Sequence, residues 1–353
     1  MLKRFAIHPG DFVHALMLAL AGIPILCAEL GRATGLTGPF AWLPLALAFI
    51  VVPAVSGLDG TTDESADAGL SPLLCRVLPL IAVPAQLCSL WISASYWCSA
   101  DLGVAGRIGW LLSGGLFSAL LAASVAHELI HREWLADRTF GGVLLSTICF
   151  GSFKIIHLHI HHRFVATPRD CASAPRGLSL YRFLPRCLIG NAREALRIER
   201  TRLTRKNRGL WRSELTLWFA LSTFWTVVAF AGFGWSGVAY FLMQSLLARI
   251  AVDWTNYLQH YGLRRRQRPD GRFEPVEPRH AWSIRCRISN LALLNLLRHG
   301  DHHARPDKPY QILSHEGSPT YPYPLGIMFL LALVTPLFQR VVHPLLDRIE
   351  TGE

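Results

Sequence analysis

Charged residues are scarce in this chain. Only 17% of its 353 residues are Asp, Glu, Lys or Arg, and 51% are apolar, whereas a soluble domain usually carries about 25% charged residues. This deficit excludes disordered and ordinary cytosolic classes. The eight cysteines form no CxxC pair and no regular spacing, which excludes a disulfide scaffold, a zinc knuckle and a fused iron–sulfur module. The composition predicts a multi-span membrane protein with a single domain over residues 1–353.

Long apolar runs supply the membrane spans. A helix needs about 20 apolar residues to cross the hydrocarbon core. Six runs meet that need: 12–30, 39–55, 78–96, 108–125, 215–233 and 238–252. No small-residue cleavage site follows the first run, so we expect an uncleaved helix there. The uncharged segment 232–237 predicts a tight turn between the last two spans. Three shorter runs are expected to cap the bundle or lie at the interface: 140–156, 288–297 and 325–338.

Basic residues are concentrated in two segments. Residues 163–212 hold 13 Lys and Arg against 3 Asp and Glu, and residues 262–310 hold 11 against 5. Nucleic-acid binding is one interpretation, but the positive-inside rule favours two loops on the cytoplasmic side of an inner membrane. Six spans place both termini on that same side. We therefore expect no nucleic-acid partner.

Histidine is the most informative residue type. Of fifteen histidines, eight form one pair and two trios, and a ninth closes the sixth predicted span. Positions three or four apart share one face of a helix. These nine are His127, His131, His157, His161, His162, His260, His299, His302 and His303. Neutral imidazole binds Fe, Zn, Cu or Ni, and nine ligands exceed the capacity of one ion. Two metals are therefore predicted, without a choice of element.

The remaining histidines are expected to be ordinary. His159 is two residues from each neighbouring ligand and points away from them on a helix, and the isolated His8, His14, His315 and His343 carry no pattern. His280 is left undecided between a surface role and a supporting one. The predicted fold is an all-α membrane bundle of about six transmembrane helices, with a cytoplasmic histidine-rich cap that holds two metals.

One motif has a second interpretation. Residues 127–131 match HExxH, in which the Glu of a zinc protease acts as general base, and residues 58–60 resemble a motif of intramembrane metalloproteases. A protease zinc site takes three protein ligands, so it leaves the other histidine groups unexplained. The Asp at 59 also precedes HExxH here, whereas it follows in those proteases. A zinc protease is thus a remote alternative, and a metal carrier or a haem-binding bundle is less favoured still.

These motifs resemble those of the integral-membrane alkane hydroxylases, a branch of the membrane fatty-acid desaturase and hydroxylase superfamily. The resemblance extends over most of the chain, in six segments: 126–132, 161–168, 256–263, 297–304, 310–313 and 326–338. The superfamily in general has three histidine motifs. The additional motif Asn-Tyr-x-x-His-Tyr-Gly at 256–262 places the chain nearer to alkane hydroxylases than to acyl-CoA desaturases.

The resemblance implies a di-iron centre held by the nine histidines, with O₂ as co-substrate. It implies oxidation of an unactivated C–H bond on a medium- or long-chain aliphatic substrate. Electrons would come from a separate rubredoxin or ferredoxin with an NAD(P)H reductase. Glu128 and Asp301 are expected to orient neighbouring imidazoles, and Arg298 to neutralise Asp301 or a carboxylate substrate. Terminal hydroxylation, oxidative decarboxylation to a 1-alkene and desaturation all stay open.

The chain departs from the family pattern at three positions. Ile156 and Ile160 stand where typical alkane hydroxylases carry Glu and Gly, and Gln259 stands where they carry Glu. Loss of two negative charges would relieve repulsion against an anionic substrate by about 1–4 kcal/mol per charge at ~4 Å. This suits a free fatty acid, as in the relatives that form terminal alkenes. The alternative is that these changes affect packing only.

Overall fold

A computed structural model describes residues 9–56 and 71–351. Over these ranges the chain is helical and contains no strand beyond two isolated bridges. His8 and the segment 58–60 lie outside the described residues.

Fifteen α-helices follow one another along the described chain. They are α1 (Ala19–Thr34), α2 (Thr37–Ala46), α3 (Val52–Ser56), α4 (Pro72–Ser99), α5 (Gly103–Ser118), α6 (Ser124–His131), α7 (Leu135–Ser146), α8 (Ser152–Ile156), α9 (His162–Phe164), α10 (Leu180–Arg205), α11 (Glu214–His260), α12 (Arg287–Ala292), α13 (His299–Ala304), α14 (Leu325–Leu333) and α15 (Thr335–Thr351). Three π-helical turns join consecutive helices, at Leu47–Val51, Ala119–Ala123 and His157–His161.

Five helical stretches of the described chain are long and apolar enough to cross a membrane. They are Val13–Thr34, Thr37–Ser56, Leu73–Ser99, Gly103–His131 and Glu214–His260. A helix that is apolar on all sides belongs in lipid or in a protein core. Because these stretches are long enough to cross the hydrocarbon core, the chain is a multi-pass membrane protein.

The longest helix, α11, reverses direction in the middle. Its 47 residues would extend about 70 Å if straight, but Gly234 has φ 60° and ψ −154°, a conformation that glycine adopts at little cost. On one side Trp225 donates to Ser146, and on the other Gln244 donates to the carbonyl of Thr147. The two halves therefore run back past the same point, and the predicted turn at 232–237 is confirmed.

The stretch formed by α5 and α6 occupies the centre of the bundle. Protein covers 72% of its most apolar window, against 11–39% for the other four stretches. It packs against α2 and the second half of α11. The central position matters because this stretch ends in the first histidine motif, His127 to His131.

The first basic segment contains a helix, where the sequence suggested a loop. The amphipathic helix α10 packs against α11. Its buried residues follow helical spacing: Leu180, Phe183, Cys187, Asn191, Ala195, Glu199 and Leu203. The many arginines on its exposed face obscured this periodicity in the sequence.

Candidate metal centre

Four parts of the fold bring the nine predicted ligands together. His127 and His131 lie on α6 at the end of the central stretch, and His260 ends α11. The second histidine motif lies in the α8–α9 region, and the third lies on the short helix α13. Segments that are far apart in sequence thus converge at one end of the apolar helices.

The nine imidazoles divide into two groups. We call the first the five-histidine cluster: His127, His131, His157, His162 and His302. We call the second the four-histidine cluster: His161, His260, His299 and His303. Within each cluster the ligand atoms lie within 4.8 Å of one another.

The separations between nitrogen atoms suit a shared metal ion. In the five-histidine cluster the Nε2 atom of His157 lies 3.0 Å from that of His131 and 2.9 Å from that of His162. In the other cluster the Nε2 atom of His299 lies 3.1 Å from that of His260 and 2.9 Å from that of His303. Two nitrogens bound at about 2.0–2.1 Å to one ion, at right angles, lie about 3 Å apart.

Two further imidazoles point buried nitrogens into the clusters. The Nε2 atoms of His127 and His161 have no hydrogen-bond partner among the described residues. A buried polar atom without a partner is costly, and a bound cation removes that cost. The donor set of neutral nitrogens suits iron, zinc, copper or nickel, so the residues present fit a metal centre with two ions.

Burial keeps four of the imidazoles in the neutral form that binds metals. On α13, burial lowers the pKa of His302 and His303 well below the ordinary value, and neighbouring imidazoles lower it further. Burial likewise lowers the pKa of His157 and His162. A neutral imidazole offers a lone pair at neutral pH without first losing a proton.

A π-helical turn shapes the second histidine motif. The backbone N–H of His162 donates to the carbonyl of His157, five residues earlier, so the turn is one residue wider than in an α-helix. This places His157 and His162 in one cluster and His161 in the other. His159 is exposed and lies outside both clusters, as the sequence predicted.

The short helix α13 serves both clusters. His302 joins the five-histidine cluster, whereas His299 and His303, four positions apart, join the other. Close packing holds this helix in place: a Cβ atom at Gly300 would lie 2.2 Å from the carbonyl oxygen of Pro278. Only glycine fits at this position without displacing the backbone.

One buried carboxylate contacts a predicted ligand. The Oδ2 atom of Asp170 lies 2.9 Å from Nδ1 of His161, and Asp170 is 1% exposed. Ser173 and the backbone N–H of Ala172 donate to the same carboxylate. This contact orients the His161 ring so that Nε2 faces the cluster. The sequence does not predict this role of Asp170, because an Asp in a basic loop usually faces solvent.

The carboxylate expected to assist the first motif has a different partner. Glu128 forms an ion pair with Arg132, 3.1 Å away, and no hydrogen bond joins Glu128 to an imidazole among the described residues. A helix turns by about 100° per residue, so the residue after His127 faces away from the cluster.

Asp301 also binds cations instead of imidazoles. Its carboxylate accepts from Arg305 at 2.8 Å and from Lys308 at 2.6 Å, and the backbone N–H of Ser314 donates to it. Burial raises the pKa of Asp301, but the hydrogen bonds from Lys308, Ser314 and Arg305 outweigh it and lower the pKa below the ordinary value. Arg298 donates to the carbonyl of Leu313. No hydrogen bond joins Asp301 to an imidazole among the described residues.

The undecided His280 lies outside both clusters. It is 2% exposed, its Nε2 atom lies 3.1 Å from Glu274, and its Nδ1 atom accepts from the backbone N–H of Glu277. Both ring nitrogens therefore have partners in the loop that precedes α12. His14, His315 and His343 likewise lie outside both clusters.

An apolar cavity of about 50 Å³ lies beside the clusters. Three of the predicted ligands line it: His127, His157 and His299. A second apolar cavity extends between α1, the α2–α3 region and α14. The two cavities share five wall residues: Leu116, Leu120, Leu293, Leu325 and Phe329. An aliphatic chain in these cavities would lie with one end against the imidazoles.

The three positions that depart from the family pattern have different surroundings. Ile156 and Ile160 are buried in the hydrophobic core and are not among the residues that line the cavity beside the clusters. Gln259 does line that cavity, and its Nε2 atom has no hydrogen-bond partner among the described residues. Only the change at 259 therefore alters the polarity of the cavity wall.

Comparison with known proteins gives one consistent result. The model of the fatty acid desaturase family matches residues 103–316. The chain is 38% identical to alkane 1-monooxygenase 1 of Pseudomonas aeruginosa, over 98% of this chain and 86% of that protein. It is 36% identical to alkane 1-monooxygenase 2 of the same organism, over 96% and 92% of the two chains. It is 34% identical to alkane 1-monooxygenase 2 of Alcanivorax borkumensis, over 92% and 88%.

Proposed function

Because this chain belongs to the fatty acid desaturase family, in its membrane alkane hydroxylase branch, we propose that it uses O₂ to oxidise an unactivated C–H bond of a medium- or long-chain aliphatic substrate. The chain is a membrane oxidoreductase. The observation that carries the proposal is the position of two imidazole clusters at the end of an apolar cavity.

Nine histidines would hold two iron ions, five around one ion and four around the other. When bound, the irons would supply the activation of O₂ and the removal of a hydrogen atom from the substrate. The four-histidine cluster has fewer protein ligands, and catalytic metal sites keep positions open for substrate or solvent. Asp170 keeps the His161 ring in the orientation that metal binding needs.

The cavity walls would position the substrate. Leu293, Leu325 and Phe329 offer apolar contacts along its length and exclude water from the reacting end. Positioning of this kind decides which carbon faces the metals, and it supplies a large part of catalysis. Hydroxylation at the chain end is the outcome that the similarity to alkane 1-monooxygenases supports.

A second candidate reaction is oxidation of a free fatty acid, either decarboxylation to a 1-alkene or desaturation. Gln259 favours it, because this neutral amide lines the cavity beside the clusters and its Nε2 atom has no hydrogen-bond partner among the described residues. Gln259→Glu should lower the amount of product formed from a fatty acid relative to that formed from an alkane. The reason is that a carboxylate ~4 Å from an anionic substrate is unfavourable by about 1–4 kcal/mol. Gln259→Leu is the matched control, because it removes the amide without adding charge. An unchanged ratio of products in Gln259→Glu would contradict the charge argument.

Electrons would come from a separate donor, a rubredoxin or a ferredoxin with its NAD(P)H reductase. Such donors are acidic, and the basic segments at 163–212 and 262–310 provide a complementary field. The same charges favour an inner-membrane orientation with six spans, with the histidine clusters, the basic segments and both termini in the cytoplasm.

The proposal is tested by feeding cells that express the chain with dodecane or with dodecanoic acid, followed by analysis of headspace and extract. Terminal alcohol, terminal alkene and internal olefin identify hydroxylation, decarboxylation and desaturation. Metal analysis of the purified protein should give two irons per chain. An iron-free, zinc-containing protein that cleaves peptide bonds would instead support the protease interpretation of HExxH.

A further inference from the structure

One carboxylate in the bundle has no role in the metal centre described above. Asp253 lies in the second half of α11 and is fully buried, at 0% exposure. Its Oδ2 atom has no hydrogen-bond partner among the described residues. Ionisable residues within membrane-spanning helices are costly and usually functional.

The surroundings of Asp253 do not neutralise it by direct contact. Arg249 is one turn earlier on the same helix, but its guanidinium donates to the carbonyl of Leu188, 3.1 Å away, and lies 4.6 Å from the centre of the Phe150 ring. No ion pair joins Arg249 to Asp253 within the described part of the chain. Arg249 thus acts on the carboxylate only by a Coulomb interaction over a longer distance. Asp253 therefore does not form the close ion pair that usually accompanies a buried charge.

Polar groups connect Asp253 to the surface through α10. The Cys187 thiol donates to Oδ1 of Asp253 at 3.3 Å, and the Asn191 amide donates to the Cys187 sulfur at 3.2 Å. Glu194 follows on the same face of α10, since positions 187, 191 and 194 have helical spacing. The Glu194 side chain pairs with Arg197 at 2.6 Å and is 28% exposed, so the surface lies about one helical turn beyond Asn191.

Asn256 follows Asp253 on the same face of α11, since positions three apart are neighbours on a helix. Asn256 lines the cavity that His127, His157 and His299 also line. Asp253 does not itself line the cavity, and about one helical turn separates it from Asn256, which does. Cys187 also lies near Asp170 and Cys171, which are the other titratable groups in this region.

We propose that Asp253 delivers protons from the α10 side of the protein to the cavity beside the histidine clusters. The inference rests on the proposed function, in which R–H, O₂, two electrons and two protons give R–OH and water. The electrons come from the external donor, and one oxygen atom leaves as water. Asp253 would release its carboxyl proton past Asn256 as an O–H bond of that water forms, and it would regain a proton from the Glu194 side.

Asp253→Asn is the direct test, because an amide keeps the shape of the side chain and carries no transferable proton. Product formation should fall by about 10²–10⁴-fold, the usual contribution of a positioned acid. Bound iron should be unchanged, and O₂ consumption should exceed product formation. Asp137→Asn is the matched control, since Asp137 is a buried carboxylate on α7 that pairs with Arg132, away from the cavity.

Infrared spectra of the metal-free protein in lipid nanodiscs test the same inference without catalysis. The difference between wild type and Asp253→Asn should contain one buried carboxyl band that titrates with pH and shifts quickly when H₂O is replaced by D₂O. If Asp253→Asn is not recovered from membranes, Asp253→Glu serves instead, because it moves the band without removing it. A band that does not exchange, or an Asp253→Asn variant as active as wild type, would overturn the proposal.

Different results would contradict the proposed oxidation and the role of Asp253 in proton delivery. If the wild type oxidises no aliphatic substrate, the proposed function fails, and the exchange of the infrared band alone decides whether Asp253 carries protons. If the wild type is active and Asp253→Asn loses both iron and activity while Asp137→Asn keeps them, Asp253 is structural and only the proton inference fails.

Discussion

The two histidine clusters are built differently. In the five-histidine cluster His131 and His162 are partly exposed, and His131 borders a polar groove with Arg132 and Lys308. In the four-histidine cluster every imidazole is buried, and Asp170 holds His161 at 2.9 Å. No carboxylate is hydrogen-bonded to the five-histidine cluster within the described residues.

This difference predicts unequal behaviour of the two metal sites. A carboxylate that fixes a ligand's orientation typically raises metal affinity 10–100-fold, and burial slows the access of water and chelators. We therefore expect the four-histidine cluster to hold its ion more firmly, and the five-histidine cluster to exchange its ion through the polar groove. Four predictions, in order of decreasing effect, test this comparison.

Removing one ligand from each cluster should have the largest effect. His161→Ala and His302→Ala should each abolish turnover, and bound iron should fall from two towards one per chain, because each cluster loses a nitrogen donor. Activity assays and metal analysis measure both effects. His159→Ala is the matched control, since His159 is exposed on the same segment. Activity like that of wild type in either ligand variant would refute the assignment.

Asp301→Asn should weaken both clusters together, because α13 supplies ligands to both. The substitution breaks the contacts with Arg305 and Lys308. We expect the free energy of unfolding to fall by about 3 kcal/mol. This value is at the low end for a buried ion pair, because Arg305 is 55% exposed and solvent weakens its interaction with Asp301. Thermal unfolding in detergent and metal titration report the change.

The sign of the pH dependence follows from the lowered pKa of Asp301. The stabilising contribution is fully present at neutral pH and disappears as the pH falls through the lowered pKa. Asp307→Asn is the control, because Asp307 is exposed on the same segment. A selective loss of one metal in Asp301→Asn would show that α13 does not couple the clusters.

Asp170→Asn should affect the four-histidine cluster alone. The amide can turn its NH₂ group towards Nδ1 of His161, which disfavours the required ring tautomer, and metal affinity should fall about 10–100-fold. In a chelator titration the two clusters should lose their metals in two separate phases. In Asp170→Asn the phase of higher metal affinity should shift to lower affinity, and the other phase should be unchanged. Ser173→Ala removes one donor to Asp170 and leaves the carboxylate, so it should have a smaller effect. Equal weakening of both phases would contradict the comparison.

Glu128→Gln should have the smallest effect. It breaks the partly buried ion pair with Arg132, worth up to about 1 kcal/mol, and should leave metal affinity nearly unchanged. Glu133→Gln, at an exposed position on the same segment, is the control. If Glu128→Gln instead weakened the five-histidine cluster as strongly as Asp170→Asn weakens the other, Glu128 would orient an imidazole in the working enzyme.

Much of the fold followed from local patterns. The apolar runs and the turn around Gly234 could be predicted because each depends on a few consecutive residues. α10 was missed, since arginines cover its exposed face and only spaced residues such as Phe183 and Cys187 are buried. The nine histidines could be selected from spacing and resemblance, whereas the partners of Glu128 and Asp301 could not, because side-chain contacts depend on distant segments.

The sequence by itself determined a helical membrane protein with groups of histidines at helical spacing, since hydrophobicity and periodicity are properties of neighbouring residues. Only the tertiary structure decided that His157 and His161 belong to different clusters, that Asp170 supports one of them, and that an apolar cavity ends at the imidazoles. These features join α6, α9, α11 and α13, and the positions of such distant segments are fixed by packing in three dimensions.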